Sequence, residues 1–578
     1  MKSPTKKSGK KSGKHNILYA IILFALILSV LNLGDRYFWG DEVHLLHLGD
    51  SITKYGLPVL TTEIRHEDIT YETDDITNKT ISEIVFSIKP EDFTTKLFGE
   101  DIYVMHSWLL MYIEAGAISI FGLYNEFFIR LFFVIIGLIA IPFTYALAMH
   151  ITKKKEIANL SAFLLACSVV YLLAIRNANY YALIIASVPA AIYFYLKMIE
   201  DKKDANKHMH FQMWGFALAS AVIFHSNWLV FAGTMLGIGI HFVIYEMCVK
   251  HKILAKKSKI FKPVIKSIKD ARYFIYSLII IFLLTAPWFI WTQQYSKSSI
   301  HTGLKDYILL LFASAYQFVI WFVPVLFIII LAVMLFNKKN RKELLRKEYV
   351  LFVIILLSYF LLISLNKYSG APIRYYYGLL PIAMIINAIV IYFLWKKTKI
   401  VATLVIVLFI FTNLIQIAPI IPLRGIITSE LNSNNVLNVS SDTQIGYLEE
   451  STTPKMLMID YSSEITRHVQ TPTESIVDYM RERHVAVGAP VFIGSGDPNT
   501  VGYYTKTDVH TYAPNFNTRE YSFIVLDASD DRNKEIDMNK YEKEYFPLET
   551  YKWGDTADPT HHVYMTTYGE GFYVYHKT

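Results

Sequence analysis

Two adjacent carboxylates, Asp41 and Glu42, stand in the stretch Phe38-Trp39-Gly40-Asp41-Glu42-Val43-His44, a few residues after the first apolar run. A carboxylate pair is a candidate catalytic site, and as a hard-oxygen pair it can also hold a divalent cation. Just past a helix end it is equally an ordinary solvated cap, and taken alone that is the plainer reading. Four further polar clusters interrupt apolar sequence. The first is Arg176-Asn177 with Asn179-Tyr180-Tyr181, and the second is His225-Ser226-Asn227. The third is Trp291 with Gln293-Gln294-Tyr295. The fourth is Asn366-Lys367-Tyr368 with Arg374-Tyr375-Tyr376-Tyr377. Each has a plain explanation too. An isolated arginine at a helix end snorkels to the membrane surface. A histidine in a tight turn is usually a packing residue, and Trp and Tyr line any membrane interface. Asp497 and the pair Asp74-Asp75 read as loop carboxylates. Ionisable groups at membrane depth are costly and usually functional, so convergence of the clusters on one face would count for more than any one of them.

The elements that must position these residues are membrane helices. The chain has 578 residues, 53% of them hydrophobic and 15% aromatic. Its first 420 or so residues are dominated by apolar runs of about 20 residues, the length that spans a bilayer. The formal net charge of +7 does not point to nucleic acid, because the basic residues sit in short clusters between the apolar runs. The two cysteines, Cys167 and Cys248, lie in or beside apolar runs, so neither a disulfide framework nor a thiolate metal site is expected. The basic residues from Lys2 to Lys14 precede the apolar run Ile17 to Leu33, and no small-residue cleavage site follows. This predicts an uncleaved first helix with a cytoplasmic N-terminus.

The charge distribution then sets a topology. The run 104–122 carries His106 and Glu114, and if it crossed the membrane every later loop would have the wrong sign. It is read as lying along the surface. The remaining runs predict spans near 16–33, 127–149, 157–175, 180–198, 211–225, 228–247, 273–292, 317–336, 349–366, 374–395 and 399–418, about eleven in all. Residues 303–316 add a second surface or re-entrant helix. On this scheme 31 Lys and Arg fall on the inner side, against 5 in the short outer loops. All five polar clusters, Asp41-Glu42 included, then share the outer face. Residues 1–15 form a basic cytoplasmic tail, 16–420 the transmembrane part with a large first outer loop at 34–126, and 425–578 a further domain. That last region is acidic, with 12 Lys and Arg against 23 Asp and Glu. Strand-length runs at 456–459, 491–493, 523–526 and 572–575, with a helix at 475–483, predict an extracytoplasmic α/β domain.

The order of motifs resembles the GT-C membrane glycosyltransferases, in the branch of protein O-mannosyltransferases and lipid A aminoarabinose transferases. The residues are Asp41-Glu42, Tyr55-Gly56-Leu57-Pro58, His106-Ser107-Trp108, Phe121-Gly122 and Arg130-Leu131. They continue with Arg176-Asn-Ala-Asn-Tyr-Tyr-Ala-Leu, Pro287-Trp288 and Arg374-Tyr375 through Pro381. The resemblance covers about residues 16–400. It departs from the family pattern at Ser107-Trp108, where Pro-Pro is usual, and at Asn179, where a second Arg is common. The segment 59–103 is also longer than usual.

The resemblance implies an inverting transfer of a sugar from a polyprenyl-phosphate carrier to a protein, lipid or glycan acceptor outside the cytoplasm, in the plasma membrane. It implies Asp41 as base with Glu42 beside it. It implies Arg374, with Arg176 or Lys367, on the donor phosphate, and His225, Tyr181, Asn179 and His106 around the donor sugar. No cofactor is required, although a divalent metal at Asp41 and Glu42 is conceivable. A transporter or flippase of lipid-linked glycans is the alternative. It would normally show paired halves, and no internal repeat is present. A sensor or scaffold built on the acidic outer domain is a third reading.

Overall fold

The computed structural model describes residues 16–59, 94–97, 100–104, 106–200, 208–249, 271–293, 304–338, 341, 344–365, 373–420, 454–466, 471–494, 497–510, 521–528, 530–546 and 571–577. Helices α1 (Asn16–Val30) and α2 (Gly40–Tyr55) are followed by a hairpin of β1 (Thr94–Leu97) and β2 (Glu100–Tyr103). The helical body continues through α3 (Leu109–Phe121), α4 (Glu126–Leu138), α5 (Ala140–Thr152), α6 (Lys155–Ala166), α7 (Val169–Ile175), α8 (Tyr181–Ile199), α9 (Met209–Ser226) and α10 (Trp228–His241). It is completed by α11 (Arg272–Trp291), α12 (Leu304–Trp321), α13 (Val325–Phe336), α14 (Lys347–Ile363), α15 (Leu380–Lys397) and α16 (Lys399–Phe411). A 3-10 turn, Ile373–Leu379, leads into α15 and carries Arg374.

Five described helical segments are long and apolar enough to cross a membrane, or up to seven if each of two bent pairs is one span. The chain is a multi-pass membrane protein. Helix α8 lies at its centre, buried along nearly its whole length against α9, α5 and the 3-10 turn, whereas α11 is mostly exposed on its apolar side. Helix α3 has 13 residues, so it is about 20 Å long and too short for a hydrocarbon core of roughly 30 Å. It packs along α2. Gly49 allows this approach, because a Cβ there would lie 3.1 Å from that of Glu114.

Three expectations are corrected. Run 157–175 is not one straight span: α6 and α7 meet at 61°, and Ser168 accepts from the Tyr171 amide to start the second piece. The break expected near residue 316 falls later. Helix α12 runs unbroken to Trp321, and the chain turns by 92° before α13. Pro324 explains the position, since it has no N–H to donate and holds the residue before it out of the helical region. The Asn387 amide donates to the Phe322 carbonyl at 2.8 Å, satisfying a backbone group at the break. Third, Met456 to Ile459 is not a strand but opens helix α17 (Leu457–Thr466). Its buried residues Leu457, Met458, Tyr461 and Ile465 follow a helical period, which the four-residue apolar run alone could not reveal.

The C-terminal region adds α18 (Pro472–Glu482), β3 (Pro490–Ile493), α19 (Pro498–Thr505), β4 (Asp508–His510), β5 (Phe523–Asp527), β6 (Tyr541–Phe546) and β7 (Phe572–Lys577). The strands form one sheet in the order β4-β3-β5-β7-β6. Strand β3 is parallel to β4 and β5, and β7 is antiparallel to β5 and β6. Helix α19 makes the β3–β4 crossover and also rests on α2. One buried apolar cluster runs without a break from α1 and α2 to α17, α18, α19, β3 and β5. The C-terminal region is therefore packed onto the helical body.

Candidate active site

The stretch 34–55 is not the loop its polar composition predicts. Val43, Leu45, Leu46 and Leu48 of α2 are all buried, and Gly56 closes the helix at φ +76°, a conformation open to glycine. Asp41 and Glu42 thereby fall in the first helical turn, where the helix dipole favours negative charge.

The two carboxylates have different surroundings. Glu42 is fully buried and its oxygens are saturated. Oε1 accepts from Arg130 Nε at 3.1 Å and from the Ala178 amide at 2.7 Å. Oε2 accepts from Arg130 Nη2 at 2.7 Å and from the Trp39 amide at 3.2 Å. Arg130, on α4, gives its remaining N–H groups to the carbonyls of Leu33, Arg36 and Tyr37. This charge-assisted fork joins α2, α4, the α7–α8 turn and the α1–α2 connection. Its role here is to hold elements together. Asp41 is about half exposed, and its Oδ2 accepts from Arg374 Nη1 at 3.0 Å. Arg374 is itself partly exposed, its Nε has no hydrogen-bond partner among the described residues, and Tyr180, Tyr181 and Tyr375 surround it.

His106 joins this group. Its Nδ1 lies 2.6 Å from the Tyr103 hydroxyl, and the Tyr103 ring meets His44 edge-on at 5.1 Å. Desolvation, with His44 and Arg374 adding, holds the His106 imidazole down to about 3, so it is neutral at physiological pH. Tyr181 is buried and packs edge-on against Tyr180 and Tyr377. Asp41, Arg374, Tyr181 and His106 thus belong to one neighbourhood.

The other expected residues are engaged differently. Arg176 donates to the carbonyls of Ser29, Leu31 and Asn32, so it caps the C-terminal end of α1. Asn179 is buried in the turn, and its side-chain oxygen accepts from the Tyr180 amide at 2.7 Å. His225 hydrogen-bonds across to the Leu284 carbonyl on α11 at 3.0 Å and packs beside Trp288. Lys367 lies outside the described residues, as does the pair Asp74-Asp75. A cation bridged by Asp41 and Glu42 does not fit, because Arg130 and two amides already occupy the Glu42 oxygens. No group of three metal-ligating side chains converges among the described residues.

Two residues escaped the sequence reading as site components. Arg130 appeared only as part of a motif. A lone cation in the apolar helix EFFIRLFFVIIGL requires a carboxylate partner, and that was the available signal. Asp497, which reads as a loop carboxylate, is half-buried and caps α19 with its Oδ1. Its Oδ2 accepts from the Gly40 amide at 2.5 Å. Nothing local in the sequence links residues 457 positions apart.

A family model described as dolichyl-phosphate-mannose-protein mannosyltransferase matches residues 105–222, which hold α3 to α8 and most of α9. No curated protein sequence matches the chain. Among solved structures, the chain is similar to ArnT from Cupriavidus metallidurans in the apo state, at TM-score 0.50 and 11% identity over 88% of this chain and 93% of that one. The same protein bound to undecaprenyl phosphate gives TM-score 0.47 and 10% identity over 97% and 98%. Archaeal oligosaccharyltransferase AglB from Archaeoglobus fulgidus, in complex with an inhibitory peptide and a dolichol-phosphate, gives 0.43 and 9% over 89% and 69%. The family-model match is confined to residues 105–222, and the likeness to ArnT, at 11% identity, is a likeness of fold.

Proposed function

We propose that this chain transfers a sugar from a polyprenyl-phosphate donor to an acceptor hydroxyl on the extracytoplasmic face, with inversion at the anomeric carbon. The observation that carries the reading is the open pair of Asp41 and Arg374, a half-exposed carboxylate 3.0 Å from a guanidinium with a second N–H edge unpartnered. Asp41 takes the proton of the acceptor hydroxyl as its oxygen attacks the anomeric carbon from the side opposite the phosphate. The bond between that carbon and the phosphate oxygen breaks, and polyprenyl phosphate leaves. Arg374 stabilises the charge developing on the leaving phosphate, since a fixed cation needs no reorganisation as the charge appears. Neutral His106 and the phenols of Tyr180, Tyr181 and Tyr375 offer polar contacts to a sugar without adding competing charge.

Glu42 enters this reading as the residue that fixes the helix turn carrying Asp41, and Arg176 as a helix-end cap. The leaving group is a phosphate monoester of the lipid, so protein cations suffice in principle. The acceptor class is a protein, a lipid or a glycan. Membranes containing the Asp41→Asn protein, supplied with labelled polyprenyl-phosphate sugar and the native acceptor, test the reading. Transfer at the wild-type rate would remove Asp41 as base. Unchanged donor affinity in Arg374→Ala would remove the phosphate role.

A further inference from the structure

We propose that Asp497 is a positioning residue for Asp41, so that the C-terminal region sets the aim of the catalytic helix. The inference rests on the reading of Asp41 as base. Its support is the way the segment before α2 is held. The Tyr37 amide donates to Glu474 Oε1 at 3.1 Å, the Phe38 amide to the Tyr504 hydroxyl at 2.9 Å, and the Gly40 amide to Asp497 Oδ2 at 2.5 Å. The remaining amide of the run, that of Trp39, donates to Glu42. The Thr500 hydroxyl lies 2.8 Å from both the Phe38 carbonyl and Asp497 Oδ2, and its single proton serves one of them at a time. Tyr504 in turn donates to Glu126 Oε1 on α4. Every backbone amide from 37 to 40 is therefore fixed, three of them by side chains from α18, α19 and the turn before α19.

Asp497 is the closest of these anchors to the chemistry. Its Oδ1 accepts from the Asn499 and Thr500 amides, which caps α19, and its Oδ2 reaches the first amide of α2, next to Asp41. The approach is tight. A Cβ on residue 40 would lie 3.1 and 3.3 Å from the two carboxylate oxygens, so a larger residue would have to push the carboxylate back by a few tenths of an ångström. A base must be held to within a fraction of an ångström of its proton, and a displacement of about 1 Å costs on the order of 100-fold. The first turn of α2 is fixed on one side by the Glu42–Arg130 fork and on the other by Asp497. Asp41 lies between these anchors.

The two oxygens of Asp497 do separate jobs, which makes the test selective. Asp497→Ser retains a good helix cap but has no second oxygen to reach Gly40. Asp497→Asn keeps one oxygen for the cap and turns an N–H group toward the Gly40 amide. Full-length protein is assayed for kcat and donor KM, with hydrogen exchange followed on peptides covering 37–43. Both variants are expected to lower kcat by roughly 10- to 100-fold, leave donor KM within about twofold, and speed exchange in 37–43 while the rest of α19 stays protected. Wild-type kcat in both variants overturns the inference. So does a fall in kcat that only tracks loss of folded protein, because that assigns Asp497 to stability alone. Asp41→Asn is run beside them. Retained activity there rejects the base reading itself, an outcome distinct from failure of the Asp497 variants.

Discussion

Asp41 and Glu42 are consecutive residues, each carries one carboxylate, and each meets an arginine. Glu42 meets Arg130 by a two-point fork, out of water, with two backbone amides completing its shell. Asp41 meets Arg374 through one contact at a partly solvated position. The first pair has no lone pair left for a substrate. The second has exposed carboxylate on one side and an unpartnered guanidinium edge on the other. Neighbouring positions on a helix lie about 100° apart, so one turn can send one acid into the protein and the other into an opening. The difference between them follows from burial and coordination, since the two side chains have nearly the same chemistry.

The sharpest way to break this comparison is to remove one partner from each pair in turn. Arg130→Ala leaves the Glu42 charge buried without its partner, and should cost about 3–5 kcal/mol of stability. For a membrane protein this reads out as loss of folded material and a large drop in thermal midpoint in detergent. A mild effect would mean that Glu42 is not sealed. Asp41→Asn should do the reverse. It should leave the midpoint almost unchanged while cutting kcat by roughly 100- to 10,000-fold, the usual contribution of a general base. Arg374→Ala comes next, with donor KM rising about tenfold or more and stability changing by no more than ~1 kcal/mol, as expected for a partly exposed pair.

The smallest effect concerns Glu114, a third acid, on α3 beside α2. It is fully buried and neither oxygen has a partner among the described residues. Burial, with the Glu42 charge adding, raises its carboxyl well above the ordinary carboxylate range. The folded protein therefore holds this proton more tightly than the unfolded chain. Stability from this group is complete below the ordinary carboxyl pKa. It declines as pH rises from there toward the raised value. Glu114→Gln, which mimics the protonated acid, should match wild type at low pH and become the more stable protein as pH rises. Parallel curves of midpoint against pH would show that Glu114 finds a partner in solution.

These cases show how much was legible in advance. The apolar runs predicted helices because their length and composition are local properties. The expected spans at 180–198 and 273–292 coincide with α8 and α11 to within a residue. The expected helix at 475–483 and three of the four expected C-terminal strands are present, and the fourth is helical because a four-residue apolar run has no readable period. Helix α2 is not legible in the sequence, because its polar residues break up the apolar ones and it is buried around most of its circumference, so it shows no amphipathic period. The resemblance implies Arg176 or Lys367 beside Arg374 on a donor phosphate, and only the fold shows that Arg176 also meets the last carbonyls of α1, because an arginine in a turn looks the same in sequence either way.

The sequence by itself determined that this is a membrane protein with an appended α/β region, and that Asp41, Glu42 and Arg374 were worth attention. Hydropathy and charge act over a few residues and can be read in order along the chain. The tertiary structure decided which acid stays half exposed, which arginine seals the other, and that a capping aspartate far along the chain holds the turn that carries them. Those outcomes depend on pairs 88, 333 and 457 residues apart. A carboxylate's availability is set by what surrounds it after folding, and packing alone decides whether its lone pairs meet an arginine fork or open solvent.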